Sequence, residues 1–383
     1  MKLTIDAEDT SDGEILPALT LRPPEERDLD ALSRIFNDPE TVAYTLVPSP
    51  WDAEHRDAYV GLCAKSWEEG SPRWVIADAA DAAVGTAGLI RRGPGEVEVV
   101  YVTAPRVRRQ TIALRACRRA AAFAFDDMGA TRLSWGAKVG NHVSRLIALR
   151  LGFRMEGVAR SGEEQRGEPV DEWVAAMLSG ELRDLDDPPE GYARERTRAA
   201  VFCRPQPILD TELPELSLRP ARETDLDAIY KACQDAEMQR WTTIPRPYER
   251  EHAEGFLRFA EDGWRRGEKA VFVMADADDR YCGSVDLRLN HGGDPGSAEV
   301  GFHTAPWARG KGYMTEATRR VCAYAFEELD VERVVWRAMV GNDGSRRVAD
   351  KAGFVFEGTL HGELVRFGER SDGWMGSKLR GNE

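Results

Sequence analysis

The chain carries the same series of short motifs twice, and this repeat constrains its fold more than any other feature. Thr103-Ala104-Pro105 recurs 201 positions later as Thr304-Ala305-Pro306. Further pairs follow at the same or nearly the same spacing: residues 19–23 with 216–220, Asn141 with Asn342, Ser144 with Ser345, Leu151-Gly152-Phe153 with Ala352-Gly353-Phe354, and Trp173 with Trp374. Separate anchors at a common spacing indicate an internal duplication rather than chance similarity. We therefore expect two copies of one fold.

Length and proline content suggest where the two domains divide. A chain of 383 residues is long enough for two domains that each bury a core. We place the first domain at residues 15–182, a linker at residues 183–213 and the second domain at residues 214–383. The linker contains Pro188-Pro189 and Arg204-Pro205-Gln206-Pro207, which interrupt regular structure. Residues 192–202 are compatible with a helix that packs on the domains.

Composition excludes several classes of protein. The chain is 42% hydrophobic and 31% charged, as expected of a soluble globular protein. No apolar run approaches the roughly 20 residues that span a bilayer, and the acidic N-terminal segment is not a signal peptide. The net charge of −14 disfavours nucleic acid and anionic membranes as partners. The charge would suit a cationic amine substrate, although many acidic proteins are acidic for solubility alone.

Cysteine spacing bears on the cellular compartment and on metal binding. The six cysteines are scattered singly, with no CxxC pair and no spacing typical of metal ligands. We therefore expect reduced thiols, a cytoplasmic location and no metal site.

Each half is predicted to be a mixed α/β domain. In the second half, a strand at residues 216–219 precedes a helix that Thr224 caps and that runs to about Ala236. The elements expected after it are a helix at 250–263, strands at 270–276, 281–289 and 298–304, a helix from about 314, a strand at 333–340, a short helix ending at Gly353, and strands at 354–357 and 373–379. Ala317, Val321, Ala325 and Leu329 form an apolar stripe on the helix that starts near 314. Strands that alternate with helices predict α/β layers.

The loop between the strand at 298–304 and the following helix is the strongest functional signal. It reads Arg309-Gly310-Lys311-Gly312-Tyr313-Met314. Two glycines let consecutive backbone N–H groups converge on one point, and a helix N-terminus adds its positive dipole end there. The loop lacks the Gly-Lys-Ser/Thr ending of a P-loop and the three glycines of a dinucleotide fingerprint. The arrangement predicts a pyrophosphate site.

These motifs resemble those of the GNAT acyltransferases, in particular the RimJ/RimL branch. The resemblance is carried by the strand AEVGF at 298–302, the loop RGKGYMTEA at 309–317 and the segment NDGSRRVADKAGFVFEG at 342–358. It implies a tandem duplication of the GNAT fold, a central mixed sheet flanked by helices in which the fourth and fifth strands splay apart. It also implies acetyl-CoA as co-substrate, its pantetheine arm lying between the splayed strands. Trp307 stands where the family usually has Gln or Arg, which leaves most of the loop amides in place.

The resemblance implies a set of cofactor-binding residues and three catalytic candidates. The cofactor set comprises Phe302, Thr304, Arg309, Gly310, Lys311, Gly312, Tyr313, Met314, Asn342 and Ser345. Backbone amides near Phe302 and His303 would hold the thioester oxygen, and Ser345 would donate a proton to the leaving thiolate. Tyr313 and Met314 would pack on the cofactor or in the core. For Asn342 and Ser345, the alternative is ordinary helix capping.

Two residues are candidates for the general base. Glu299 matches a glutamate that acts through a water in several GNAT enzymes, and the alternative is a carboxylate fixed by loop amides or a neighbouring Arg. His303 is the second candidate because imidazole titrates near neutrality, and the alternative is a packed or hydrogen-bonded side chain. Strand alternation places Glu299, Gly301 and His303 on one face of the sheet.

The first half keeps Glu98, Asn141 and Ser144 but lacks the loop glycines. Arg109 stands at the position of Gly310, and Thr111 at that of Gly312. Side chains there would fill the cofactor's space, and non-glycine residues resist a positive φ. We therefore expect the first domain to be degenerate. The arginines of this segment and of positions 115, 118 and 119 are read as a solvated helix face, as phosphate-binding charges, or as an RNA-facing patch.

Three functions remain open from the sequence. The first is an N-acetyltransferase with its active site in the second domain, where an amine attacks acetyl-CoA directly in a ternary complex. The second is a GNAT-fold transferase that takes its acyl group from aminoacyl-tRNA, and the third is a non-catalytic acetyl-CoA-binding module. The acceptor, a protein N-terminus or a small-molecule amine, cannot be read from the fold. A monomer that is its own pseudo-dimer and a homodimer are both compatible with the repeat.

Overall fold

A computed structural model describes residues 1–9, 15–184 and 190–381. The chain divides into two compact units, Met1–Arg196 and Thr197–Glu383. Each unit contains one eight-stranded sheet with helices on its faces. The predicted α/β fold class and its tandem duplication are therefore confirmed. Residues 185–189 of the expected linker lie outside the described residues.

The first unit is built on a sheet with the strand order β1-β4-β5-β6-β7-β8-β10-β9. The strands of this unit are β1 Leu3–Ile5, β2 Glu8–Asp9, β3 Ile15–Leu16, β4 Leu19–Arg22, β5 Arg73–Ala77, β6 Ala83–Gly93, β7 Glu96–Thr103, β8 Arg132–Lys138, β9 Arg154–Gln165 and β10 Glu168–Leu178. Strands β2 and β3 pair with each other in a separate two-stranded sheet. Its helices are α1 Leu29–Phe36, α2 Pro39–Tyr44, α3 Ala53–Glu68, α4 Ile112–Asp126 and α5 His142–Leu151. Helix α6, Ala193–Phe202, spans the division between the units.

The second unit repeats this plan with the strand order β11-β12-β13-β14-β15-β16-β18-β17. Its strands are β11 Leu209–Asp210, β12 Ser217–Arg219, β13 Lys269–Ala275, β14 Tyr281–Leu289, β15 Ser297–Thr304, β16 Arg333–Met339, β17 Val355–Arg366 and β18 Glu369–Leu379. Its helices are α7 Leu226–Cys233, α8 Ala236–Trp241, α9 Arg250–Arg266, α10 Tyr313–Glu327 and α11 Asp343–Lys351.

Each sheet opens at its parallel strand pair. Strand β15 pairs with β16 only from Ser297 to Val300, and β7 pairs with β8 only from Glu96 to Glu98. Beyond these residues the two strands of each pair diverge, while β15 stays paired with β14 on its other side. The remaining backbone of β15, from Gly301 to Thr304, therefore faces a gap in the sheet. This is the predicted splay.

Helices cover the two faces of the second sheet with separate apolar clusters. All four residues of the predicted stripe are buried. Ala317, Val321 and Ala325 lie on α10 in one apolar cluster with the sheet residues Val285 and Val300, whereas Leu329 lies past the end of the helix. On the opposite face, α7, α8 and α9 form a second cluster around Ile229, Met238 and Ala253. Burial of these residues supplies most of the free energy that holds the helices on the sheet. Glu299, Gly301 and His303 share the face of α7, α8 and α9.

Several predicted element boundaries differ from the structure. Thr224 does not cap a helix: it lies inside a 3₁₀ turn, Glu223–Asp225, and α7 begins at Leu226 and ends at Cys233. The break before α8 arises because Asp235 caps that helix, accepting from the Met238 N–H. The last two strands are longer than predicted, since they continue into a hairpin whose outer half is mostly exposed or partly exposed.

The cap at the start of α11 is as predicted. The Asn342 side chain accepts from the Ser345 N–H at 3.1 Å, and Gly353, just past the helix, has a φ of +88°. Both features are local and follow from the residue types at helix ends.

Part of the segment predicted as a linker has regular structure. Arg198, in the half of α6 that belongs to the second unit, is buried and donates to the carbonyls of Leu329 and Pro295 and to the Asn290 side chain. Strand β11 pairs with β12. Residues 197–210 therefore pack on the second unit.

Candidate active site

The loop before α10 presents a row of unpaired backbone donors. Gly310 and Gly312 have φ angles of +79° and +81°, which turn successive N–H groups the same way. From Gly310 to Thr315, no backbone N–H in this described segment donates to a protein acceptor. A Cβ placed on either glycine would meet no atom within 4 Å, so the space above the loop is open. Convergent donors at a helix N-terminus fit the pyrophosphate of coenzyme A.

The same loop in the first unit keeps its backbone conformation without glycine. Arg109 and Thr111 have φ angles of +65° and +59°, so both residues adopt the positive φ that non-glycine residues resist. Such angles cost about 1–3 kcal/mol each and persist because the flanking turn and helix fix the chain path. Two Cβ atoms and their side chains nevertheless occupy the space that is open above Gly310 and Gly312.

The side chains of the second-unit loop divide between solvent and core. Tyr313 and Met314 are buried in the core beneath α10, so only their amides belong to the loop surface. The Arg309 guanidinium forms an ion pair with Asp235, and this bond holds the pKa of that carboxyl below its usual range. Lys311 is exposed, with its ammonium 5.5 Å from the Tyr313 ring centroid. Lys311 is thus the loop cation best placed to meet a phosphate.

Phe302 lies on the part of β15 that faces the splay, and Asn342 and Ser345 lie at the start of α11, which follows β16. The Ser345 hydroxyl, in the first turn of α11, accepts from the Trp336 indole N–H at 3.0 Å. The oxygen of Asn342 is used in the helix cap, while its amide nitrogen donates to no protein acceptor in the described residues. Phe302 and Thr304 are partly buried on the face of β15 opposite Glu299.

A tyrosine crosses the corresponding gap in the first unit. Tyr101, at the position of Phe302, lies on β7 with its hydroxyl 2.7 Å from the Ser144 hydroxyl. Ser144 also accepts from the Trp135 indole at 3.1 Å, as Ser345 does from Trp336. Burial raises the pKa of the Tyr101 phenol, so it stays a neutral hydrogen-bonding group. The splay of the first unit is therefore bridged by side chains.

Glu299 is held by three cationic or potentially cationic partners. Arg288 donates to Oε1 at 3.2 Å, Arg337 donates to Oε2 at 2.6 Å, and His291 Nδ1 lies 3.1 Å from Oε2. Of the two interpretations of Glu299, a general base and a carboxylate fixed by a neighbouring Arg, these contacts match the second. Both oxygens therefore accept a hydrogen bond from an Arg side chain.

His303 lies between two hydroxyl groups beneath α9. Tyr281 Oη is 2.6 Å from Nε2 and Ser284 Oγ is 3.2 Å from Nδ1. Burial lowers the pKa of the imidazole to about 4, because the charged form loses hydration. The ring is therefore neutral at physiological pH with both nitrogens occupied.

The structure adds two charged residues that the sequence did not single out. Asp286 and Arg288 lie on β14, directly opposite Gly301 and Glu299 of β15. Arg288 Nε donates to Asp286 Oδ2 at 2.8 Å. Their signal in the sequence is the period-two run Ser284, Asp286, Arg288 in an otherwise apolar strand. The corresponding residues of β6 are Thr86, Gly88 and Ile90.

The described residues contain neither a cluster of metal-binding side chains nor a helix suited to a membrane. Within residues 1–9, 15–184 and 190–381, no group of His, Cys, Asp or Glu side chains could hold a metal ion. In the same ranges no helix has the length and apolar character needed to cross a membrane.

Comparison with known proteins identifies the class of this fold. The profile of the acetyltransferase (GNAT) domain matches twice, at residues 18–154 and 215–355. The chain therefore belongs to the GNAT acetyltransferase family, in a tandem arrangement.

Individual relatives cover parts of the chain. "Putative ribosomal N-acetyltransferase YdaF" of Bacillus subtilis is 36% identical over 26% of this chain and 60% of its own length. "Probable N-acetyltransferase YjcK" of the same species is 42% identical over 22% of this chain and 48% of its own. The matches thus span about half of each relative. The solved structure of RimL, a ribosomal L7/L12 alpha-N-protein acetyltransferase with coenzyme A, is 18% identical, with a TM-score of 0.42 over 46% of this chain and all of RimL.

Proposed function

We propose that the protein is an acetyl-CoA-dependent N-acetyltransferase whose active site lies in the second unit. The observation that carries the proposal is the row of unpaired amides from Gly310 to Thr315 beside an open splay. The first unit has the same fold, but Arg109 and Thr111 fill its loop, and Tyr101 bridges its splay. An open loop and an open splay occur together only in the second of the two described units.

The acceptor is proposed to be a primary amine, either a protein N-terminus or a small molecule. The name of the YdaF relative, a ribosomal N-acetyltransferase, supports a protein N-terminus, and the acidic chain would attract either kind of cation. A cytoplasmic location is part of the proposal, since all six cysteines are free thiols.

The reaction requires both substrates on the enzyme at once. Lys311 and the loop amides would hold the pyrophosphate, and the amide nitrogen of Asn342 would donate to the pantetheine arm. The amine nitrogen attacks the thioester carbon, and β15 amides freed from strand pairing stabilise the developing oxyanion. When the C–S bond breaks, the Ser345 hydroxyl is placed to donate a proton to the thiolate, because Trp336 already occupies its acceptor side.

Release of free thiol from acetyl-CoA tests the proposal. The full chain would be assayed with an N-terminal serine peptide and with spermidine, alongside the Gly310→Glu variant. The proposal expects amine-dependent thiol release by the wild type and none by Gly310→Glu, whose carboxylate would fill the anion site. Acetyl-CoA binding with no turnover of any primary amine would contradict the enzyme assignment. Equal activity in the variant would contradict the site.

A further inference from the structure

We propose that Asp286 is the group that binds the acceptor's ammonium and removes its proton. The inference rests on the proposed function, because it assigns the proton acceptor of that same reaction. Asp286 lies on β14, outside both the cofactor loop and the splay.

The position of the carboxylate relative to the splay is the first argument. Asp286 is directly opposite Gly301, and Gly301 is the first residue of β15 that has lost its pairing with β16. A Cβ built on Gly301 would lie 2.7 Å from Asp286 Oδ1, so this oxygen sits over the glycine. The carboxylate therefore leans across β15 towards the point where the thioester would lie.

The free lone pairs of Asp286 are the second argument. Oδ2 accepts from Arg288 Nε at 2.8 Å, whereas Oδ1 accepts from no donor in the described part of the chain. The side chain keeps 16% of its surface exposed, so the carboxylate is not fully enclosed by protein. An oxygen that is mostly desolvated and unpaired can bind a cation strongly.

The two other candidates on this face have no such oxygen or nitrogen. Glu299 gives both oxygens to Arg288, Arg337 and His291. His303 gives both ring nitrogens to Tyr281 and Ser284. His303 would have to break an existing hydrogen bond before it could accept a proton, whereas Oδ1 of Asp286 would not.

The charged surroundings of Asp286 suit a proton acceptor. Burial raises its pKa, and the negative charge of Glu299 adds to this rise, while Arg288 and Lys269 act in the opposite direction. The direction matters because a carboxylate with a raised pKa holds a proton more readily than an ordinary one.

Gly301 is the residue that makes room for this arrangement. A side chain there would clash with Arg288, whose Nη2 would be 2.3 Å from the Cβ, as well as with Asp286. In the first unit the equivalent residue is Val100, and Gly88 replaces Asp286. The unit without the carboxylate also lacks the glycine that accommodates it.

The proposed step balances in protons and charge. The ammonium R–NH₃⁺ gives one proton to Asp286, and the resulting amine forms the C–N bond with the acetyl carbon. The C–S bond breaks, and the thiolate takes the second proton by way of Ser345. The products are the N-acetyl amine and CoA–SH, and protonated Asp286 returns its proton to water.

The test compares Asp286→Asn with Glu299→Gln in the full chain. Acetyl-CoA binding by calorimetry and thiol release with the better of the serine peptide and spermidine would be measured from pH 5 to 9. We expect Asp286→Asn to bind acetyl-CoA as the wild type does, to lose at least 100-fold in kcat, and to lose the rise of kcat with pH that deprotonation of Asp286 produces. Glu299→Gln should keep that rise. Gly301→Ala, which displaces the carboxylate without removing it, should also lower kcat at unchanged acetyl-CoA affinity.

The outcomes separate this inference from the proposed function. A wild type that turns over no amine would remove the proposed function and this inference with it. An active wild type with Asp286→Asn within threefold of it, and with the same pH profile, would overturn only the role of Asp286. If Glu299→Gln lost the rise of kcat with pH and Asp286→Asn kept it, the proton acceptor would be Glu299 and not Asp286.

Discussion

The hydroxyl groups of Tyr101 and Ser144 are 2.7 Å apart, and their hydrogen bond closes the splay of the first unit. The second unit has Phe302 and Ser345 at the same positions, where no such bond can form. Both units otherwise place a serine at the same helix start and bind it with a tryptophan indole. One phenolic oxygen therefore distinguishes a closed splay from an open one.

Introducing that oxygen into the second unit should close it. In Phe302→Tyr the new hydroxyl would reach Ser345 and occupy the path of the pantetheine arm. We expect acetyl-CoA affinity to fall at least tenfold, measured by calorimetry. Tyr101→Phe is the matched control and should leave the affinity of the second unit unchanged. An unaltered affinity in Phe302→Tyr would show that the arm does not pass between these strands.

Ser345 is expected to act in the chemical step and not in binding. Ser345→Ala should lower kcat by about 10²-fold, the lower end of what general acid catalysis contributes, at unchanged acetyl-CoA affinity. Because the variant also removes the acceptor of the Trp336 N–H, Ser144→Ala in the first unit controls for the equivalent structural loss. A kcat within threefold of the wild type would leave the Ser345 hydroxyl with only its hydrogen bond to Trp336.

The lowered pKa of His303 makes a prediction about acid stability. The folded protein keeps this ring neutral down to about pH 4, whereas the unfolded chain takes up the proton near pH 6.5. The stabilisation is therefore complete above pH 6.5 and is lost as the pH falls towards 4. When the pH falls from 7.5 to 5, the free energy of unfolding should decrease in both the wild type and His303→Gln. The decrease should be about 2 kcal/mol smaller in the variant. Urea denaturation at pH 7.5 and at pH 5 measures the two free energies of unfolding. An equal decrease in the wild type and the variant would show that the His303 ring is solvated in the folded protein.

A buried ion pair fixes the start of α7 to the sheet. Arg219 donates to both oxygens of Asp225, at 2.8 and 2.9 Å, and both side chains are buried. Arg219→Met should cost about 3–5 kcal/mol of unfolding free energy, because it leaves an unpaired buried carboxylate. Arg222→Met, which removes an exposed contact with the neighbouring Asp279, should cost less than about 1 kcal/mol. Similar losses in the two variants would contradict the buried character of the pair.

The parts of the fold that the sequence predicted rest on local signals. The Gly310 and Gly312 pair, the Asn342 cap and the apolar stripe of α10 are each encoded within a few residues. The duplication then extends the same fold to the first unit. The end of α7 was missed because Asp235 starts a new helix where the pattern still fits a continuing one.

The parts that could not be predicted depend on contacts between distant segments. Asp286 became a candidate only because the sheet places it opposite Gly301. Arg309 forms an ion pair with Asp235, which lies 74 positions earlier in the chain. The positive φ angles of Arg109 and Thr111 show tertiary context overriding residue preference. The hydrogen bond of Tyr101 across the splay is therefore stronger support for a first unit that does not bind the cofactor than strain in its loop is.

Calorimetric titration of the full chain with acetyl-CoA tests the central claim most directly. The account predicts one site per chain in the wild type and none in Gly310→Glu. Two sites in the wild type, with one remaining in Gly310→Glu, would show that the first unit also binds the cofactor and would contradict the closed splay at Tyr101 and Ser144.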